Sequence, residues 1–88
     1  MKLIIAIIRD HDSDAVSRAL TSDNLRVTLI ASTGGFLRRG SSTLLIGVED
    51  EEVEKALKII RETCSQVTEP NVKKATIFVL KVDEYIHL

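Results

Sequence analysis

Between Asn24 and Val48 the chain carries three arginines, Arg26, Arg38 and Arg39, and no acidic residue. Inside that stretch lies Thr33-Gly34-Gly35-Phe36-Leu37, followed by Ser41, Ser42 and Thr43. Paired glycines at a strand end let backbone N–H groups converge on an anion. A guanidinium binds phosphate through paired hydrogen bonds, and hydroxyls both donate and accept. Arginine, glycine amides and hydroxyls gathered around one loop therefore suit a phosphate-bearing ligand. Phe36, at the loop, is placed to cover a flat ring or a partner surface. The plainer reading is a hairpin loop with solubilising arginines, and Arg38 and Arg39 equally suit docking to an acidic partner.

Other chemistries find less to work with. His11 falls in a helix-entry loop and His87 in a tail, neither with a nucleophile at a recognisable spacing. Cys64 ends a helix on its apolar side, which reads as a buried and unreactive thiol. One cysteine excludes an internal disulfide and a cysteine-based zinc cage, and fits a reducing compartment. No close cysteine pair follows the first strand, as a copper-carrying loop would need. Arg9-Asp10-His11-Asp12-Ser13, at the same place, is acid-rich and free of glycine, so it repels phosphate. A catalytic role is therefore not expected. Five acids in the six residues Glu49 to Glu54 read as a solvated helix start favoured by the macrodipole.

These residues need a scaffold, and its order is legible. Lys2 to Arg9 is an aliphatic, β-branched run, the pattern of a strand covered on both faces. Asp12 or Ser13 then caps a helix over about Ser13–Ser22, with Val16, Ala19 and Leu20 on one side, and Asp23-Asn24 stops it. Leu25 to Ser32 is a second strand, with Leu25, Val27, Leu29 and Ala31 on one face and Arg26, Thr28, Ile30 and Ser32 on the other. Ser42 to Val48 is a third. Val53, Ala56, Leu57, Ile60 and Cys64 mark a second helix. Ser65 to Lys74 connects it to a last strand, Ala75 to Val82, and Asp83 to Leu88 is a tail.

The order β-α-β-β-α-β predicts an α+β, ferredoxin-like domain spanning residues 1–88: a four-stranded antiparallel sheet with both helices on one face. That leaves one face bare. Yet the first strand is apolar in both parities, and Ile77, Phe78, Val79 and Leu80 repeat this in the last. Monomers seldom expose so large an aliphatic patch, so the second face is expected to be buried in an oligomer.

Composition agrees. The chain has 88 residues, 44% hydrophobic but only 3% aromatic, with a net charge of −1. A domain of this size buries only about 64% of its unfolded surface, so its own core is thin. A net charge near zero and three aromatics argue against a nucleic-acid partner. The first apolar run is too short for a signal peptide or a membrane span, so a cytoplasmic protein without a membrane partner is expected.

The runs Met1-Lys2-Leu3-Ile4-Ile5-Ala6-Ile7, Arg26-Val27-Thr28, Thr33-Gly34-Gly35-Phe36-Leu37, Ile46-Gly47-Val48-Glu49-Asp50 and Ala75-Thr76-Ile77-Phe78-Val79-Leu80 resemble the PII-like cyclic-di-AMP receptor family. The resemblance implies a homotrimer, one ligand in each cleft between subunits, no cofactor, and signalling to a regulatory target protein by loop movement. Carried over by position, it implies ligand contacts at Asn24, Arg26, Thr28, Gly35, Phe36, Leu37, Ser41, Gly47 and Phe78. The chain departs from the family's pattern in three places. Ser41 stands where asparagine is frequent, the connector at Ser65 to Lys74 is short, and His87 stands where glutamine is common. These departures keep two alternatives open: a trimer that binds another adenine nucleotide or anion, and a ligand-free interaction module.

Overall fold

The computed structural model describes residues 1–32, 40–66 and 73–88. Strand β1 (Lys2–Arg9) leads through a 3₁₀ turn at Asp10–Asp12 into helix α1 (Ser13–Ser22). Strands β2 (Arg26–Ser32) and β3 (Ser41–Val48) follow, then a 3₁₀ turn at Asp50–Glu52, helix α2 (Val53–Thr63) and strand β4 (Ala75–Lys81). The sheet runs β2-β3-β1-β4, antiparallel at every pairing. This is the expected ferredoxin-like α+β fold. Leu25 and Val82 fall just outside the strands assigned to them, and Ser41 falls inside β3.

Alternation in β1 decides where the core sits. Ile4, Ala6 and Ile8 are fully buried under the helices, whereas Leu3, Ile5 and Ile7 on the opposite face are only partly covered. Leu44, Ile46 and Val48 of β3 join the buried set, with Val16 and Leu20 from α1 and Ala56 and Ile60 from α2. Each valine, leucine or isoleucine side chain fully buried there contributes about 1.5–3 kcal/mol.

The two helix ends are built differently. Glu49 and Glu52 form a reciprocal capping box, with the Glu49 N–H donating to Glu52 Oε1 at 3.0 Å. Asp12 precedes α1 but makes no side-chain cap. Its carboxylate, only 3% exposed, instead accepts from the Ser65 hydroxyl at 2.6 Å and the Ser65 N–H at 3.2 Å, with Arg9 at 3.3 Å. Arg9 also donates to the Ser65 carbonyl. This knot ties the exit of β1 to the end of α2. Burial pushes the Asp12 carboxyl up, but the Ser65 bonds and the charges of His11 and Arg9 more than offset it and hold it below its ordinary value.

Helix α1 stops as Asp23-Asn24 predicts. Asn24 adopts φ 65°, the Asn24 N–H donates to the Thr21 carbonyl at 2.9 Å, and the Leu25 N–H donates to the Leu20 carbonyl at 3.1 Å. This is a Schellman ending, with Leu20 and Leu25 packed in the core behind it.

Candidate ligand-binding site

Cross-strand register assigns each residue of the uncovered face to a row. Arg26, Gly47, Leu3 and Leu80 form one row across all four strands. Thr28, Leu45, Ile5 and Phe78 form the next. Thr43, Ile7 and Thr76 follow. The face is thus divided lengthwise. Arg26 and Thr28 make its β2 side polar at the Gly47 end, with Ile30 exposed two residues beyond Thr28, while β1 and β4 present Leu3, Ile5, Ile7, Phe78 and Leu80. Phe78 is 51% exposed and Leu80 is exposed beside it, the bare patch that the sequence predicts.

At the Arg26 end lies a cavity of about 340 Å³. Arg26 and Thr28 line it from β2, Leu45 and Gly47 from β3, and Leu3 from β1. Tyr85 of the tail closes one side. Its volume is at the lower end of the roughly 300–1,000 Å³ usual for small-molecule sites. The cavity holds a cation, a hydroxyl and exposed strand backbone, a combination that suits a polar or anionic group.

Gly47 has a special place here. Its φ is not in the left-handed region, and a Cβ built on it would meet nothing within 4 Å. Neither backbone conformation nor packing within the subunit requires glycine there. The open space above it is what the residue supplies.

Three of the expected contacts, Arg26, Thr28 and Gly47, are therefore brought together. Of the others, Asn24, Ser41 and Phe78 are placed elsewhere. Asn24 is exposed, and its backbone terminates α1. Ser41 shares the face of Gly47 but lies six residues along β3, about 20 Å away at the usual rise. Phe78 is three strand spacings from Thr28, about 14 Å. Gly35, Phe36 and Leu37, with Arg38 and Arg39, lie outside the described residues.

The register corrects two parts of the sequence reading. Arg26 and Thr28 do not gather with Ser41 and Ser42. They pair with Gly47 and Leu45, because an extended strand carries them away from Ser32 and its partner Ser42 by about 3.3 Å per residue. Ser42 is no ligand group either. It is buried, and its hydroxyl donates to Asp10 Oδ1. In addition, an irregularity between Leu29 and Ala31 shifts the β2 register by one residue, so strict alternation does not continue to Ser32.

Several cavity residues were not foreseen, among them Leu3, Leu45 and Tyr85. The first two carry a usable signal, since both share parity with residues of the uncovered face. Tyr85 carries none, because a tail has no periodicity from which to place it. Elsewhere, Cys64 is buried as expected, and burial together with the nearby Asp12 charge pushes its thiol up. Among the described residues no cluster of three or more His, Cys, Asp or Glu side chains could hold a metal. No helix among them is long and apolar enough to cross a membrane.

Residues 1–70 match the family model of the cyclic-di-AMP receptor. A crystal structure of a functionally unknown protein from Pediococcus pentosaceus superposes with a TM-score of 0.80 at 36% identity. The match covers 99% of this chain and 96% of that one.

Proposed function

The chain belongs to the cyclic-di-AMP receptor family, and from that premise we propose that it is a signalling receptor that takes cyclic-di-AMP into clefts between the subunits of a homotrimer. The observation that carries the reading is the meeting of Arg26, Thr28 and the bare backbone of Gly47 around one cavity on the uncovered face. Cyclic-di-AMP presents two anionic phosphates and two flat adenines. Arg26 pairs with phosphate, Thr28 hydrogen-bonds a polar edge, and the missing side chain at Gly47 admits close approach. The apolar half of the same face supports assembly, because burying Ile5, Phe78 and Leu80 against a second copy removes them from water.

Asn24, Gly35, Phe36, Leu37, Ser41 and Phe78 complete the proposed contacts by resemblance. By the same resemblance, loop movement on binding alters the surface that a regulatory target in the cytoplasm reads. No bond is made or broken in this scheme.

Isothermal titration of the protein with cyclic-di-AMP, cyclic-di-GMP and ATP tests the proposal. Cyclic-di-AMP is expected to give heat. Arg26→Ala should lose about 1.5–3 kcal/mol of binding, roughly 10- to 150-fold, while its assembly state on size exclusion stays that of the wild type. No heat at high micromolar cyclic-di-AMP overturns it. A second reading, an adenine mononucleotide as ligand, is favoured by the modest cavity and by the placing of Ser41 outside it. A stronger response to ATP in the same titrations would select that reading.

A further inference from the structure

Tyr85 walls the cavity although it belongs to no strand or helix. The root of its segment is fixed. The Val82 N–H donates to the Met1 carbonyl at 3.1 Å, and the Met1 ammonium lies 3.2 Å from Asp50 Oδ1. Three residues beyond Val82 the chain delivers Tyr85 to the cavity lined by Arg26, Thr28 and Gly47. The residue nevertheless remains 59% exposed, so the subunit's own core does not account for its position. Its aromatic neighbour is His87, with ring centroids 6.3 Å apart and planes at 45°. A tyrosine in a cavity wall can offer an apolar ring to a ligand while its hydroxyl stays in water.

Charge and ring then form a complementary pair. Arg26 supplies a cation at the cavity, which marks where an anionic group sits. A planar base attached to that anion needs a flat apolar surface nearby, and Tyr85 is the aromatic side chain at this cavity among the described residues. We infer that Tyr85 is a ligand-contacting residue, the stacking surface for one purine ring of the ligand whose phosphate lies at Arg26. The C-terminal segment is then one wall of the binding site. The inference rests on the reading of the cavity given above, and it concerns a residue beyond the part of the chain that matches the family model.

The sequence makes the test direct. Tyr85 is the only tyrosine and there is no tryptophan, so the protein's intrinsic tyrosine emission reports this one ring. Cyclic-di-AMP is titrated into wild type, Tyr85→Ala and Tyr85→Phe, following heat in all three and emission in the wild type. Stacking predicts quenching that follows the heat. It predicts an affinity loss of roughly 5- to 150-fold for Tyr85→Ala, from about 1–3 kcal/mol per stacked base, with most of the affinity kept in Tyr85→Phe. Heat with unquenched emission and unchanged affinity in Tyr85→Ala overturns the inference and leaves the proposed function standing. No heat with the wild type overturns the proposed function, and the inference with it.

Discussion

Replacing Gly47 separates what the fold needs from what a ligand needs. Glycine inside a strand destabilises by roughly 0.5–1 kcal/mol relative to alanine. At Gly47 nothing compensates within the subunit, since the backbone is ordinary and a Cβ would meet nothing within 4 Å. Gly47→Ala and Gly47→Val should therefore melt higher than wild type. At about 4–8 °C per kcal/mol for a domain of this size, the rise is roughly 2–8 °C. Binding should move the other way. If cyclic-di-AMP occupies the space above Gly47, a new side chain there overpacks the complex by about 1–3 kcal/mol, a loss of roughly 5- to 150-fold in affinity. Both quantities come from one preparation, by thermal melting without ligand at fixed protein concentration and by titration calorimetry. Gly47→Val that binds cyclic-di-AMP as tightly as wild type refutes the assignment of that space to the ligand. Variants that melt several degrees lower show instead that the free subunit itself uses the space.

Three further outcomes follow from the scaffold. Because the Asp12 carboxyl is held below its ordinary value, the stability it contributes is complete above that value and is lost as pH falls through the lower native one. Wild type should thus lose stability relative to Asp12→Asn as the pH is taken below 3.8, as followed by denaturant melts; parallel pH curves for the two refute this. Asn24→Ala should cost about 1–2 kcal/mol, because alanine resists the left-handed backbone there, whereas Asn24→Gly should not; equal melting temperatures would contradict the Schellman assignment. Cys64, buried and with its thiol pushed up, should react slowly with a disulfide reagent in the native protein and much faster in denaturant; rapid native labelling would contradict it.

Local pattern made most of the fold legible. Aliphatic runs and helical spacing set the element order, and the two apolar parities of β1 imply an uncovered face. The site was harder, because it depends on register. Arg26 and Thr28 are close to the glycine loop in sequence, and only pairing with Gly47 and Leu45 shows that they lie away from Ser41 and Ser42. Hydroxyls mislead in a similar way. Ser42 has the right chemistry for a ligand, but its parity turns it into the core toward Asp10. Asp12 fits the pattern of a helix cap, yet Ser65, distant in sequence, takes its carboxylate. Each of these outcomes turns on a partner far along the chain, which no local spacing records.

The lengthwise division of the uncovered face leads to one more experiment. A face that only bound ligand would have no use for Leu3, Ile5, Ile7, Phe78 and Leu80 together, and a face that only assembled would not place Arg26 beside an open Gly47. Both needs are met if the β1 and β4 side is buried against a neighbouring copy while the β2 side borders the cleft that remains. Phe78 is the most exposed large side chain of the apolar half, at 51%. Phe78→Asp puts a carboxylate into the proposed contact at a cost of several kcal/mol when it is buried unpaired, on the order of a hundredfold or more in association. Lys58→Glu, a charge change on the exposed side of α2, is the control. Size exclusion with light scattering at one concentration should show the wild type and the control as trimers and Phe78→Asp shifted toward monomer. Equal masses for the wild type and Phe78→Asp would refute burial of this face, whatever the ligand at Arg26 proves to be.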